Sequence, residues 1–471
     1  MRAAPTPRLG ATHANRSVAA HVTSRAHARQ WGEYEYFPPG RTAPQAALRP
    51  VGAAIRRRDV NATQSSPSSP LAPFRYPAFR AIWIANLASN MGSMIQSVGA
   101  AWLMTEITNS HQLIALVQAS ATIPILLLGV IAGAIADNFD RRRVMLAAQT
   151  GMLLVSAALS LTTWLGAITP ALLLFFTLSV GCGTALNGPA WQASVRLQVG
   201  PKDLPQAIAL NSIAFNLARS AGPALGGLLI SLTGPALAFG LNAISYLALI
   251  IVLLRWHPEV SQPQRAPMLA AITTGIRFCV QSDPVRRILV RGFAFGIAAI
   301  GVQALMPALV RDRLHGTETV YGLCLAAFGA GSIFAALWVG DLRRRWGSDR
   351  IVSASAIVFA AATVPVALTG SIAVVIAATF VAGMAWVSTL TTLNVAMQLR
   401  SPEAILGRCL SIYQAVTFGA MALGAYLLGL AADIWSLPNA ILLSAGWLGL
   451  TALLLPFLAP MPARDEGRID P

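Results

Sequence analysis

The chain has 471 residues, 55% of them hydrophobic and only 11% charged, and its mean hydropathy is +0.61. A water-soluble domain carries about 25% charged residues, so this composition excludes a soluble enzyme and demands a surface that faces lipid. The formal net charge of +16 would suit a nucleic-acid partner in a soluble protein; here the basic residues lie in short clusters between apolar runs, which is a membrane topology signal and argues for no nucleic-acid partner.

Residues 1–74 are rich in Ala, Arg, Ser and Pro, with Glu33, Glu35 and Asp59 as their acids. They read as a disordered basic extension, as a transit-peptide-like start, or as sequence upstream of a later translation start. From Phe79 the pattern changes. Apolar segments long enough to cross about 30 Å of hydrocarbon as helices follow one another, at 79–105, 112–136, 144–166, 170–195, 206–231, 234–255, 286–310, 321–341, 350–369, 372–396, 404–432 and 438–459. The fold class is therefore an all-α membrane protein of twelve transmembrane helices. The one substantial break, 256–285, holds Pro258, Pro263, Pro267 and a short amphipathic stretch near Ala270–Cys279. It reads as a linker between an N-terminal six-helix bundle at 75–255 and a C-terminal one at 286–460, with a tail at 461–471.

Charge supports the count. With the N-terminus inside, one face collects Arg141, Arg142, Arg143, Arg196, Lys202, the linker arginines, Arg343, Arg344, Arg345, Arg350, Arg400 and Arg408, whereas the other holds Arg311 and Arg313. Basic loops stay in the cytoplasm, so both termini are expected there, in a bacterial inner (cell) membrane. The two halves also repeat. Leu197–Leu210 aligns without gaps to Met397–Leu410, each joining the fourth span of a half to the fifth, and Asp137–Arg143 echoes Asp341–Arg345 after the second. Two six-helix pseudo-repeats follow.

Chemistry-bearing patterns are sparse. Cys182, Cys279, Cys324 and Cys409 are scattered without metal-ligand spacing and read as small packing residues. No phosphate-binding Gly-rich loop and no catalytic cluster of His, Asp and Glu occurs, so neither an enzyme, a metal site, a cofactor nor direct ATP drive is expected. At the end of the second span, Gly133 leaves room for a close helix neighbour, Asp137 can face a helix N-terminus, and Asp140, Arg141 and Arg142 follow. Glu403, at the start of the eleventh span, is a candidate partner for them. In the fifth span Ala218, Gly222 and Gly226 give a smooth face for tight packing, and Pro223 deletes a backbone hydrogen bond and should bend the helix.

Gly133–Arg143 resembles the G-x-x-x-D-R-x-G-R-R signature of the major facilitator superfamily, with Asn138 and Asp140 departing from it, and Asn216–Gly227 resembles the superfamily's antiporter signature. Together with Ser89–Gln96 and Phe239–Ser245 they are similar to the drug and siderophore efflux branch, over about 75–460. The resemblance implies the major facilitator fold, export of a small amphipathic molecule, and a latch between the halves at Gly133, Asp137, Asp140, Arg141, Arg142 and Glu403.

Polar residues inside spans normally face the bundle interior. Asn86, Asn90 and Ser93 make a stripe on the first span, and Ser212, Asn216 and Arg219 one on the fifth. Asn187 and Trp191 in the fourth, Gln303 in the seventh, Asn394 in the tenth, and Tyr413 and Gln414 in the eleventh complete the candidate substrate cavity. Arg219 either draws an electron-rich part of a cargo or ties span ends to backbone carbonyls, and each amide either contacts cargo or joins helices. No Asp or Glu lies in the middle of a span, so Glu106, near an outer end, is the first candidate for a proton site. The expected protein is a secondary transporter, ion-gradient driven, whose partners are a small-molecule substrate and the lipid bilayer, acting as a monomer. An importer, a non-transporting membrane sensor and a polytopic membrane enzyme are the alternatives.

Overall fold

A computed structural model of the protein describes residues 69–258, 268–402 and 405–461, with the backbone alone at 130, 134, 137 and 268–272. Among the described residues every regular element is helical. In chain order the main helices are α1 (Pro77–Ile107), α2 (His111–Asn138), α3 (Arg141–Trp164), α4 (Pro170–Ser194), α5 (Leu204–Thr233), α6 (Pro235–Arg255), α7 (Met268–Gln281), α8 (Asp283–Asp312), α9 (Glu318–Trp346), α10 (Ser348–Leu368), α11 (Ile372–Leu399), α12 (Leu406–Ile434) and α13 (Leu437–Leu458).

Local chemistry sets the boundaries. A helix start leaves N–H groups without intrahelical partners. Ser110 accepts from Leu113 N, Asp140 from Arg142 N and Arg143 N, Thr169 from Leu172 N and Ser436 from Asn439 N. Pro77, Pro170 and Pro235 open α1, α4 and α6, where the missing N–H costs nothing. Gly234 and Gly347 turn the chain at φ +79° and +81°, a conformation other residues rarely adopt.

Eleven helices are long and apolar enough to cross a membrane. The twelfth span is α1, whose 31 residues exceed the roughly 20 that a bilayer needs; its hydropathy is lowered by Asn86, Ser89, Asn90, Ser93, Gln96 and Ser97. The remaining helix, α7, is the amphipathic stretch of the linker, and its Gly275 packs beside Arg408 and Ile412 of α12. The order begins before residue 75: Ala72–Arg75 forms a helical turn and Phe74 packs edge-on against Trp83 at 5.0 Å. The expected extension thus ends sooner than residue 74, and its residues 1–68 lie outside the described residues.

The two halves meet unevenly. One large hydrophobic core runs through both, from Ile95–Met104 of α1 and Ile114–Ala119 of α2 to Phe295–Val310 of α8 and Ala422–Ala432 of α12. It fills the arginine-poor end of the bundle. Toward the arginine-rich end the core divides. One cluster, around Ile288, Leu393 and Cys409, belongs to the second half alone, and two, around Ile82, Met145 and Leu249 and around Phe79, Val199 and Leu210, belong to the first. The halves are therefore joined at one end and parted at the other.

Within the second half, Arg291 is 2% exposed. Its guanidinium pairs with Asp349 Oδ1 at 2.6 Å and donates to the carbonyls of Leu455 and Ala459, so one buried cation ties α8, α10 and the end of α13. A buried charge survives only when paired and hydrogen-bonded in this way.

Candidate functional site: a polar cavity behind a closed end

The polar stripe of α1 opens onto a cavity of about 240 Å³. Asn86, Asn90 and Ser93 line it, as does Asn187 of α4. Four of the twelve residues expected at a substrate cavity are thus brought together. The structure adds Gln96, Gln118, Gln149, Thr177, Thr184, Asn242 and Tyr246, all from α1–α4 and α6. Some of these groups hold helices to one another: Asn242 Nδ2 donates to Gln96 Oε1 at 2.7 Å, and Ser93 Oγ lies 3.0 Å from Tyr246 Oη. Others have nothing to bind. Gln149 Oε1 and Asn187 Oδ1 are buried without a hydrogen-bond partner in the protein, and buried acceptors of this kind call for a donor. The wall therefore offers unpaired acceptors on α3 and α4 to a guest that carries N–H or O–H groups. The signal for Gln149, Asn242 and Tyr246 was in the sequence: each is a polar residue in an otherwise apolar span.

The remaining expected residues stand elsewhere. Ser212 and Asn216 are exposed and donate to carbonyls of their own helix, at 3.0 and 2.8 Å. Trp191 packs with the cluster around Met145. Asn394 Oδ1 is taken by Gln398 Nε2 at 2.6 Å, Gln414 is exposed, and Gln303 is half-buried on α8. Tyr413 is buried, with its hydroxyl 3.4 Å from the Leu390 carbonyl. This cavity takes no side chain from α8–α13. α8 is instead packed against α12 of its own half: a Cβ on Gly296 would lie 2.8 Å from the Thr417 carbonyl, and one on Gly424 would overlap the Ile297 carbonyl.

Arg219 is half-buried on α5 and does not line the cavity. α5 continues as one helix through Pro223. Proline cannot donate to the carbonyl four residues earlier, which is that of Arg219, and α9 packs there: a Cβ on Gly329 would lie 2.9 Å from that oxygen. On the small face of α5, a Cβ on Gly222 would lie 2.5 Å from Met94 Cβ and one on Gly226 3.1 Å from Ile95 Cα. It seats α5 on α1, while Gly227 and Pro223 meet Glu318 and Gly322 of α9.

The expected latch takes a different form in this conformation. Asp140 caps α3. Arg141 donates to the Ala193 carbonyl at 3.1 Å, and Arg142 to those of Leu253 and Leu254 at 2.7 and 2.8 Å. These are the free carbonyls at the ends of α4 and α6, so the arginines tie one half to itself. A Cβ on Gly133 would have nothing within 4 Å; the expected close neighbour is absent because the halves have parted beside it. The Asp137 side chain and Glu403 lie outside the described residues.

The bridge between the halves sits at the opposite end. His111, first residue of α2, holds Asp433 of α12 at 2.9 Å through Nδ1 and Asp312 of α8 at 3.0 Å through Nε2. Asp433 also accepts from Ser110 Oγ and from the backbone N–H of His111 and Gln112, at 2.7, 2.7 and 3.1 Å. A carboxylate of one half thus caps the helix N-terminus of the other, where both the N–H groups and the helix dipole favour it. Arg311 adds a bond to the Thr108 carbonyl at 3.0 Å, and Trp102 stacks on Tyr321 with centroids 6.2 Å apart. Glu106 is exposed at this end, accepts from Trp102 Nε1 at 3.0 Å, and lies outside the cavity.

Comparison with known proteins sharpens this picture. Residues 68–471 match the model of the family described as transmembrane secretion effector. The chain belongs to that family. Among curated relatives, the staphyloferrin A transporter of Staphylococcus aureus is 24% identical over 349 residues, covering 74% of this chain and 87% of that protein. The enterobactin exporter EntS of Shigella boydii is 27% identical over 362 residues, covering 75% and 85%. Solved structures share the fold: the nucleoside transporter NupG (TM-score 0.65, 13% identity, 80% of this chain and 98% of that one) and a bacterial homolog of the human lysosomal transporter Spinster, solved inward-facing (TM-score 0.61, 14% identity, 83% and 96%). The chain has the major facilitator fold, and it is a multi-pass membrane transporter, not an enzyme.

Proposed function

We propose that the protein exports a siderophore-like or drug-like amphipathic molecule by alternating access, driven by an ion gradient, from the cytoplasmic side of a bacterial inner membrane. In this reading the bundles at 75–255 and 286–460 rock about the cavity, the linker 256–285 and both termini are cytoplasmic, the unit is a monomer, and the conformation described is open to the cytoplasm. The observation that carries it is the core that is continuous at the arginine-poor end and divided at the arginine-rich end. By the positive-inside rule the divided end is cytoplasmic. A cavity with unpaired acceptors would therefore face the compartment where a product awaiting export is made. Export is further supported by the relative named as an exporter. In the alternate state Asp137, Asp140, Arg141, Arg142 and Glu403 would meet across the closing cytoplasmic end.

The test is accumulation of a panel of catecholate and carboxylate siderophores and dyes in cells with and without the gene. Lower internal accumulation with the gene supports export. Higher accumulation assigns import instead, and no difference across the panel removes transport of this class.

A further inference from the structure

A second cavity, of about 630 Å³, lies on the other side of the α3–α4 seam. It is lined by Ile135 and Phe139 of α2, by Val144, Ala147, Gly151 and Val155 of α3, and by Ser179, Gly183 and Leu186 of α4. Leu154 and Leu161 of α3 are exposed nearby, as side chains that face lipid are. At its arginine-rich mouth stand Arg143 and Asp140. Asp140 is engaged as the cap of α3, whereas the Arg143 side chain is 86% exposed, with its Nε 4.0 Å from Asp140. The mouth therefore presents a cation above an apolar trough.

The two cavities share one residue, Met152. Gln149 and Thr184 face the inner one, and their neighbours Ala148 and Gly183 face the outer one. Between them lies the α3–α4 seam, where a Cβ on Gly183 would also lie 3.5 Å from the Ala148 carbonyl, with Met152 filling the gap. Met152 is 4% exposed and lies over Gly183, where any Cβ would overlap its Cγ. Thr184 Oγ1 lies 3.7 Å from its sulfur and donates to the Val180 carbonyl at 3.0 Å. Methionine is unbranched and adapts its shape readily, so this side chain can move without a change of backbone.

We propose that the outer trough is a lateral port. A single-chain amphiphile with an anionic head, dissolved in the leaflet on the arginine-rich side, sets its head at Arg143 and its chain along Val144, Ala147 and Gly151. It enters the polar cavity when the Met152 side chain swings aside and the α3–α4 seam yields with it. Charge selects the head, the trough takes the chain, and Met152, the one residue that lines both cavities, is what would have to yield, with the α3–α4 seam, for the trough to be a path and not only a lipid footprint. The port rests on the reading of the inner cavity as the cargo site.

The test uses the full chain in phosphatidylethanolamine and phosphatidylglycerol liposomes containing a diazirine-bearing palmitate, with crosslinks mapped by peptide mass spectrometry. Wild type is expected to be labelled both in the trough and on the α1 segment 86–97. A Cβ on Gly151 has nothing within 4 Å, so Gly151→Phe fills the trough and lowers label at α1 by about tenfold. Gly151→Leu repeats this with a smaller plug, and an unchanged thermal unfolding midpoint shows that both variants fold. Met152→Ala raises label at α1 and leaves label in the trough unchanged. Label at α1 that ignores both Gly151 variants, or its absence in wild type, overturns the port. The readout needs no turnover. If siderophore export fails while α1 label follows the Gly151 variants, the function reading falls and the port stands; if export succeeds and label ignores them, the reverse holds.

Discussion

In the first half, the leading span α1 turns Asn86, Asn90, Ser93 and Gln96 into a cavity. In the second half its counterpart α8 is filled on nearly every side: 83% of its apolar window is buried within the protein, against 22% for α4 and 39% for α5. Gly292, Gly296 and Gly301 of α8 lie against Thr417, Ala420 and Leu428 of α12. On the proposed reading, one repeat is the binding body and the other the abutment on which it pivots. The same topology can thus divide labour, because the polar groups that shape a cavity and the small residues that erase one are set position by position along each helix.

Four sets of substitutions test this division, from the largest effect to the smallest. Arg291→Ala strikes the abutment. It leaves two carbonyls without their donor and Asp349, which is 31% exposed, with only the Met461 N–H; losing one partner of a fully buried pair costs about 3–5 kcal/mol, so thermal unfolding in detergent should show a clear drop toward the low end of that range, with Lys rescuing only part of it, since three bonds in a plane suit guanidinium. Gly424→Val should cost about 1–3 kcal/mol by overpacking, whereas Gly446→Val, where a Cβ meets nothing within 4 Å, should unfold at nearly the wild-type temperature. Gln149→Leu and Asn187→Leu strike the binding body. Both remove an unpaired buried acceptor, so stability should hold or rise, while export should fall about tenfold if each accepts one hydrogen bond from the cargo. Glu106→Gln, outside both, should change export less than about twofold, since an exposed polar substitution costs within about 0.5 kcal/mol; a tenfold fall would restore Glu106 as the proton site.

The fold was legible because membrane spans obey few rules. Apolar length and the basic side fix twelve spans to within a few residues of the observed helices. The first-span stripe was legible for the same reason: Asn86, Asn90 and Ser93 repeat at helical spacing, so they share a face. The partners of other polar residues were not legible. Nothing in the sequence of α11 tells whether Asn394 meets cargo or, as observed, its own neighbour Gln398. Gly133 read as a contact because it is small, but small residues make contacts only where another helix arrives. The bridge at His111 was hidden, since Asp312 and Asp433 are some 200 and 320 positions away in the chain and only the packing of α2 against α8 and α12 unites them.

The cap that Asp433 places on α2 has a cost in water. When that end opens, the carboxylate leaves, and the N–H groups of His111 and Gln112 keep no partner within their own helix. Solvent must replace it on both sides of the break, as it must at Asp312 and at the Thr108 carbonyl. Opening is therefore a hydration step. If the protein cycles as proposed, osmolytes that are excluded from protein surfaces should hold it in the conformation described and slow its cycle, by an amount that grows with the number of waters taken up.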